Sequence, residues 1–247
     1  MCLSVYHSCS QNSLAFSFAL LRISLRSLRS SPCFSGSRCA RLAFGSVLRY
    51  TRGSMKQKDQ TFFFVDGTNS YAGQFALFGP ADYLDFKEVV RNVEKHVGYP
   101  IDKTLFYASY TPKPKRATSK QLAYLKNEGL FFRSVRRLRS VYFYKGHRSP
   151  TSGKEKGVDI HLGIDIVKAA FLGECHRIII MTGDTDLLYA IETAKSKHLP
   201  IHGVFLPNRF SLDIAYNVYS GLVLNYKSTF KKNRYKRLPK KLEIVAL

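Results

Sequence analysis

TFFFVD at residues 61–66 and RIIIMT at residues 177–182 are two continuous aromatic or β-branched runs. Neither alternates apolar with polar residues, and unbroken runs of this length mark strands buried on both faces, as in a parallel sheet covered by helices. Working outward from them, residues 82–97 place Leu84, Phe86, Val89, Val90, Val93 and Val97 at mostly 3–4 spacing, which predicts a helix. A strand follows at 104–110. Next come a short helix at 118–127 closed by Gly129, strands at 130–135 and 141–144, and a helix at 158–172. After RIIIMT the pattern predicts a helix at 187–198, a strand at 201–206 and a last helix at 212–219. The alternation implies an α/β fold: a three-layer α/β/α arrangement around a central, mostly parallel, doubly wound sheet with right-handed crossovers.

The chain has 247 residues, with Lys+Arg 39 against Asp+Glu 17 and a net charge of +22, and it is 45% hydrophobic. That apolar fraction excludes wholesale disorder, and the composition fits neither a collagen nor a disulfide scaffold. The longest uncharged apolar run near the start, residues 14–21, falls short of the roughly 20 residues a membrane-spanning helix needs, so no membrane partner is expected. Residues 1–54 contain seven Arg, no Lys and no acid, together with four of the five cysteines. This Arg/Ser-rich leader reads either as a transit-like segment or as the product of a mis-assigned start, and the abrupt change at Met55 favours the second. Residues 55–225 are read as the domain and 226–247 as a basic tail. Eight cations lie in that tail between Tyr226 and Lys241 with no acid among them, which suggests a solvated arm. The lone Cys175 beyond the leader suits a reducing compartment. A cytoplasmic location is expected, and an organellar one only if the leader is a genuine transit peptide.

In open α/β sheets, ligands sit beyond the carboxyl ends of the strands, where successive connections diverge. The first buried strand ends in Asp66-Gly67-Thr68-Asn69 and the second in Gly183-Asp184-Thr185-Asp186. A third acid, Asp159, opens a helix after Lys156-Gly157-Val158, and Asp165 stands six residues further on. Six residues turn a regular helix by about 600°, so Asp159 and Asp165 do not share a face. Converging carboxylates repel one another, and a hard divalent cation removes that penalty; an acid cluster without His or Cys suits Mg²⁺ or Mn²⁺ and not zinc. Each acid also has a plainer reading. Asp184 or Thr185 serves as a helix cap, Asp66-Gly67 as a turn, Asp159 as a helix-start acid favoured by the macrodipole, and Asp165 either as a solvent-facing side chain or as a hydrogen-bond acceptor behind the site. Placement at one sheet edge is what separates the set from independent caps.

Between Lys113 and Lys156 there are thirteen Lys or Arg against Glu128 and Glu155, interleaved with Phe131, Phe132, Tyr142, Phe143 and Tyr144. Lys113, Lys115, Arg116, Arg133, Arg136, Arg137, Arg139, Lys145 and Arg148 form the expected nucleic-acid-binding group. Cations mixed with rings suit a groove tracking single-stranded nucleic acid, although Phe131, Phe132 and alternate residues of 141–144 also read as core.

The ordered segments VDGTN (65–69), KGVDIHLGID (156–165) and TGDTDLLYAIETAKSKHLPIHGVFLP (182–207) resemble the NYN family of PIN-like nucleases over roughly residues 61–224. The resemblance implies a PIN-like fold and Mg²⁺- or Mn²⁺-dependent cleavage of RNA. It makes Asp66, Asp159 and Asp184 the central acids, with Asp186 and Asn69 in support, and puts the family's second helix acid at Asp165. Leu187 stands where the family usually has an aromatic residue, and Thr182 where Ser is more frequent.

A phosphatase of the haloacid dehalogenase type needs an Asp at the position of Thr68, and a Rossmann site needs a glycine-rich turn that residues 66–73 lack. The expectation is therefore a metal-dependent ribonuclease. Asp66, Asp159, Asp184 and Asp186 hold the cation, Asn69 orients a ligand or phosphate, and Thr68, Lys156 and Asp165 are secondary, with Lys156 facing the scissile phosphate. Single-stranded RNA is the expected partner, self-association is left open, and the alternative is a non-catalytic RNA-binding or assembly module on the same fold.

Overall fold

The structure, a computed structural model, describes residues 59–80, 82–149 and 155–247. The 1–54 leader and Lys154 lie outside the described residues. Seven parallel strands form the sheet: β1 (Thr61–Asp66), β2 (Lys103–Ala108), β3 (Val141–Lys145), β6 (Arg177–Met181), β7 (Ile201–Phe205), β8 (Ser220–Asn225) and β9 (Leu242–Ala246). A separate antiparallel ribbon pairs β4 (His147–Arg148) with β5 (Glu155–Lys156). The strand order is β3-β2-β1-β6-β7-β8-β9, and every pairing in the large sheet is parallel. The chain winds outward in one direction from β1 and in the other from β6, so the switch point lies where the two expected acid-tipped strands are neighbours.

Alternation along each strand divides the core. Phe62, Phe64, Ile178 and Ile180 face α4 (Val158–Phe171), α5 (Leu188–Lys195) and α6 (Leu212–Asn217). Phe63, Val65, Ile179 and Met181 face α1 (Gly67–Phe78), α2 (Phe86–Val97) and α3 (Ser119–Arg136). Six fully enclosed residues of β1 therefore serve two helical layers at once, which is why its sequence reads as an unbroken apolar run.

Four expectations need correction. α1 was not anticipated: its sequence GTNSYAGQFALF has no clear helical period, and Asp66-Gly67 reads locally as a turn. Tertiary contact decides it, since Tyr71 is 1% exposed and a side chain at Gly67 would overlap the Phe106 ring. The helix expected at 82–97 begins only at Phe86, where Asp85 caps it by accepting the Lys87 N–H at 2.9 Å. The expected strand at 130–135 is the second half of α3, a helix opened by a Thr118–Gln121 capping box and running straight through Gly129. A glycine inside a helix costs about 1 kcal/mol, but burying Phe131, Phe132 and Val135 on one helix face returns roughly 1.5–3 kcal/mol for each large side chain. Finally, 226–247 is no solvated arm: Phe230 is buried, Tyr235 and Leu238 pack on the core, and β9 pairs with β8 from Gly221↔Leu242 to Asn225↔Ala246.

Candidate active site

Asp66 ends β1 and caps α1, 2% exposed, with Oδ1 accepting the Asn69 N–H at 2.9 Å. Its other oxygen accepts the Thr182 hydroxyl at 3.1 Å. Thr182 follows β6, and the same hydroxyl accepts the Asp184 N–H at 3.1 Å. One buried side chain thus ties the two strand-end acids together. Asp184 in turn accepts the Asp186 N–H at 3.0 Å, capping the short 3₁₀ turn Thr185–Leu187 that leads into α5. Capping and clustering are therefore not alternatives here, because the same carboxylates do both. Gly183 has no room for a side chain, since a Cβ there would run into the backbone of Arg209.

Asp159 stands in the first turn of α4, entered through Gly157 at φ 78, a left-handed conformation that favours glycine. Desolvation first, then the charges of Glu155, Asp184 and Asp186, hold the Asp159 carboxyl above the ordinary carboxylate range. Burial pushes Asp66 up to about 7 against the Asn69 and Thr182 hydrogen bonds, with Asp159 and Glu155 adding to the rise. The charges that bear on Asp66 and on Asp159 thus place the five carboxyl groups in one electrostatic site.

Two members of that site were not anticipated. Glu155, on β5, accepts the Thr68 hydroxyl at 3.2 Å and a bond from Arg148 at 3.2 Å. Arg209, exposed after β7, lies with Asn69, Thr182 and Gly183 around a small recess. Glu155 could be suspected only from being one of two acids in a strongly basic stretch, and Arg209 carried no signal at all.

The remaining expected residues separate. Thr68 is half-buried and bridges Glu155 and the Ser109 N–H, 3.2 Å from each. Asn69 is half-buried beside the recess, and Lys156 is exposed on β5. Asp165 lies elsewhere on α4 and accepts the Tyr107 hydroxyl at 2.6 Å, as its 600° offset from Asp159 requires. Burial and that carboxylate push the Tyr107 hydroxyl up, so it stays a donor.

Lys113, Lys115, Arg116, Arg133, Arg136, Arg137, Arg139 and Lys145 are all exposed. Arg133, Arg136 and Arg137 line a depression of about 440 Å³ with Tyr110, and Lys145 sits over the Tyr110 ring at 5.4 Å. Arg148 is the exception among the expected cations: half-buried, it serves Glu155 and is a partner of the acid site. Phe131 and Phe132 are core, whereas Tyr142 is 61% exposed with Lys103 4.8 Å from its ring centre. A cleft of about 690 Å³ between α4 and α5 opens beside the acids, walled by Asp159 and Asp186 on one side and by Ile160, Ile164 and Tyr189.

The donor set is all oxygen, which is the chemistry of a hard cation. Among the described residues, no three or more His, Cys, Asp or Glu side chains are grouped so as to hold a metal ion together. Carboxylates offered one or two at a time fit Mg²⁺-type ions, which keep several waters, and do not fit a structural tetrahedral site.

No curated protein matches the chain. Two solved structures match it. A protein of unknown function from Vibrio parahaemolyticus is 14% identical at a TM-score of 0.49, covering 67% of this chain and 92% of its own. The nicotinamidase of Staphylococcus aureus is 12% identical at 0.29, covering 62% and 84%. The NYN domain family matches residues 60–216, well over half of the sequence and inclusive of every acid in the site. With that match, and with a parallel α/β sheet whose switch point gathers the acids, the chain belongs to the NYN domain family of PIN-like nucleases.

Proposed function

We propose that the protein is a metal-dependent ribonuclease acting on single-stranded RNA. One observation carries the reading: beside the sheet's switch point Asp159 and Glu155 raise the Asp66 carboxyl, and Glu155, Asp184 and Asp186 raise that of Asp159, so positive charge is favoured there. Asp66, Asp159, Asp184 and Asp186 are the residues that would hold Mg²⁺ or Mn²⁺. Such an ion supplies charge neutralisation at the phosphodiester and a bound water of lowered pKa.

The chain's own residues do the rest. Thr182 fixes Asp66 relative to Asp184, so the two strand-end carboxylates present a set geometry before any ligand arrives. Arg209 is exposed where its backbone packs against Gly183, and its guanidinium is available there to a phosphate oxygen. The cations of α3 and the following turn attract the backbone, and Tyr110 and Tyr142 offer rings for bases.

A non-catalytic RNA-binding module is the competing reading, favoured by one feature: both oxygens of Asp66 already accept hydrogen bonds within the protein. The deciding measurement incubates the purified protein with end-labelled single-stranded RNA and Mn²⁺, with EDTA and Asp184→Asn as controls. Cleavage lost in both controls supports the nuclease. Binding without cleavage in either metal, on RNA and DNA alike, selects the module.

A further inference from the structure

The segment between β8 and β9 carries eight cations and no acid, and all eight are exposed. Among the described residues none of them takes part in an ion pair. Unlike a flexible arm, this segment is a strap with a fixed course. Phe230 is 7% exposed and its N–H donates to Asn225 Oδ1 at 2.8 Å. Phe230 and Tyr235 stack with centroids 5.6 Å apart, and Phe210 meets each edge-on at 5.2 Å. Phe230, Tyr235 and Leu238 are therefore spent on the core, and the outward side of the strap is left mainly to Lys and Arg.

Its position follows from the strand order. All strands of the sheet are parallel, so the strap leaves β8 at the same edge where Asp66 and Asp184 stand, and returns to β9 at the opposite edge. β8 lies two strands from β6, about 10 Å at the usual strand spacing. Arg209, which follows β7 and packs its backbone against Gly183, occupies the step between. On the other side Lys145 ends β3, two strands from β1. Along this edge the acids thus have Lys145 on one side and the first cations of the strap on the other, whereas Lys241, over the Tyr219 ring at 3.8 Å, belongs to the opposite edge.

We propose that the first part of the strap, residues 227–236, entered through Arg209, is a second RNA backbone surface, and that a bound strand crosses the acid site from the α3–β3 cations to it. This rests on the ribonuclease reading above for the identity of the polyanion. Protein partners are bound through an apolar or aromatic centre, which the outward side of the strap lacks, whereas phosphates require only positioned cations. The folded course also means that little ordering entropy is lost on binding.

The test is equilibrium binding of a short labelled single-stranded RNA by the full chain in EDTA, over a range of salt. Lys231, Lys232 and Lys236 have exposed side chains and are changed together to Gln, to Glu or to Arg. Each phosphate contact to a single strand contributes about 0.7 to the log–log salt slope, so losing three lowers the slope by about 2 and the affinity at 0.1 M salt by about a hundredfold. The Gln and Glu triples should show that loss, and the Arg triple should bind like wild type. If the Gln or the Glu triple keeps wild-type affinity and slope while remaining folded by its thermal melt, the strap is overturned and the nuclease reading stands. If wild-type protein binds no RNA at low salt, both fall. Should the Glu triple not fold, the Gln triple decides alone.

Discussion

At the centre of the carboxyl edge the charges are few, partly buried and coupled; on its flanks they are many, exposed and independent. Asp66, 2% exposed, shares hydrogen bonds or electrostatic influence with Thr182, Asn69, Asp159 and Glu155. The cations on α3 and on the strap face water. Energy is concentrated where the charges are coupled. Removing one member of a coupled buried group changes the others, whereas exposed charges act one by one and are screened by salt.

The comparison breaks most readily at the centre. Asp184→Asn keeps the size of the side chain and the bond to the Asp186 N–H but removes a negative charge. Cleavage should fall roughly a thousandfold, the several kcal/mol that charge neutralisation by a bound cation supplies, while RNA affinity in EDTA stays within a few-fold. Single-turnover rates beside binding isotherms check this, and equal losses in both would erase the distinction between centre and flank.

An effect of similar size concerns stability. Because the Asp66 pKa is raised from 3.8 to about 7, the folded state holds a proton that the unfolded chain has already released in that interval. The stabilisation is complete below 3.8 and is lost as pH rises through about 7. Asp66→Asn removes this dependence, so the variant should gain on wild type by up to about 4 kcal/mol between pH 4 and pH 8 in EDTA. Urea melts at the two pH values measure it, and parallel curves for both proteins would mean that the carboxyl is solvated.

The Thr182 bridge comes next. Thr182→Val leaves the Asp184 N–H and one Asp66 oxygen unpaired and should cost about 2 kcal/mol of stability and 10–100-fold in cleavage. Thr182→Ser keeps the hydroxyl and should recover most of the rate. If Val and Ser variants cleave alike, the two strand-end acids are positioned without the bridge.

The smallest effects belong to the flank. Arg133→Ala or Arg137→Ala should each weaken RNA binding about fivefold at 0.1 M salt and lower the salt slope by about 0.7. The two should add when combined, since exposed charges without shared partners are nearly independent. Strong non-additivity, read from the double variant, would show that the flank is coupled like the centre.

Much of this division was legible beforehand. VDGTN and TGDTD announced the two strand ends because a buried strand and its terminal acid are adjacent in the chain. The offset of Asp165 from Asp159 was legible too, since helical geometry is local. Glu155 was not: it reaches the site on a two-residue strand whose pairing with Arg148 depends on the ribbon closing. Nor was the continuity of α3, because a short apolar aromatic run fits a strand or a buried helix equally until the opposing core is known. Tail residues with a dominant charge signal concealed Phe230, Tyr235 and Leu238, three anchors too far apart to form a period.

By itself, then, the order of residues determined the α/β class, the two central strands and the chemical character of their ends. These follow from hydrophobic continuity and from short-range spacing, both of which act within a few residues. Only the tertiary structure decided that the strands adjoin at the switch point, that Thr182 links their acids, that Glu155 and Arg209 join them, and that the basic tail is a folded part of the sheet. Those outcomes depend on contacts between segments far apart in the chain, whose energies exist only once the core has been assembled.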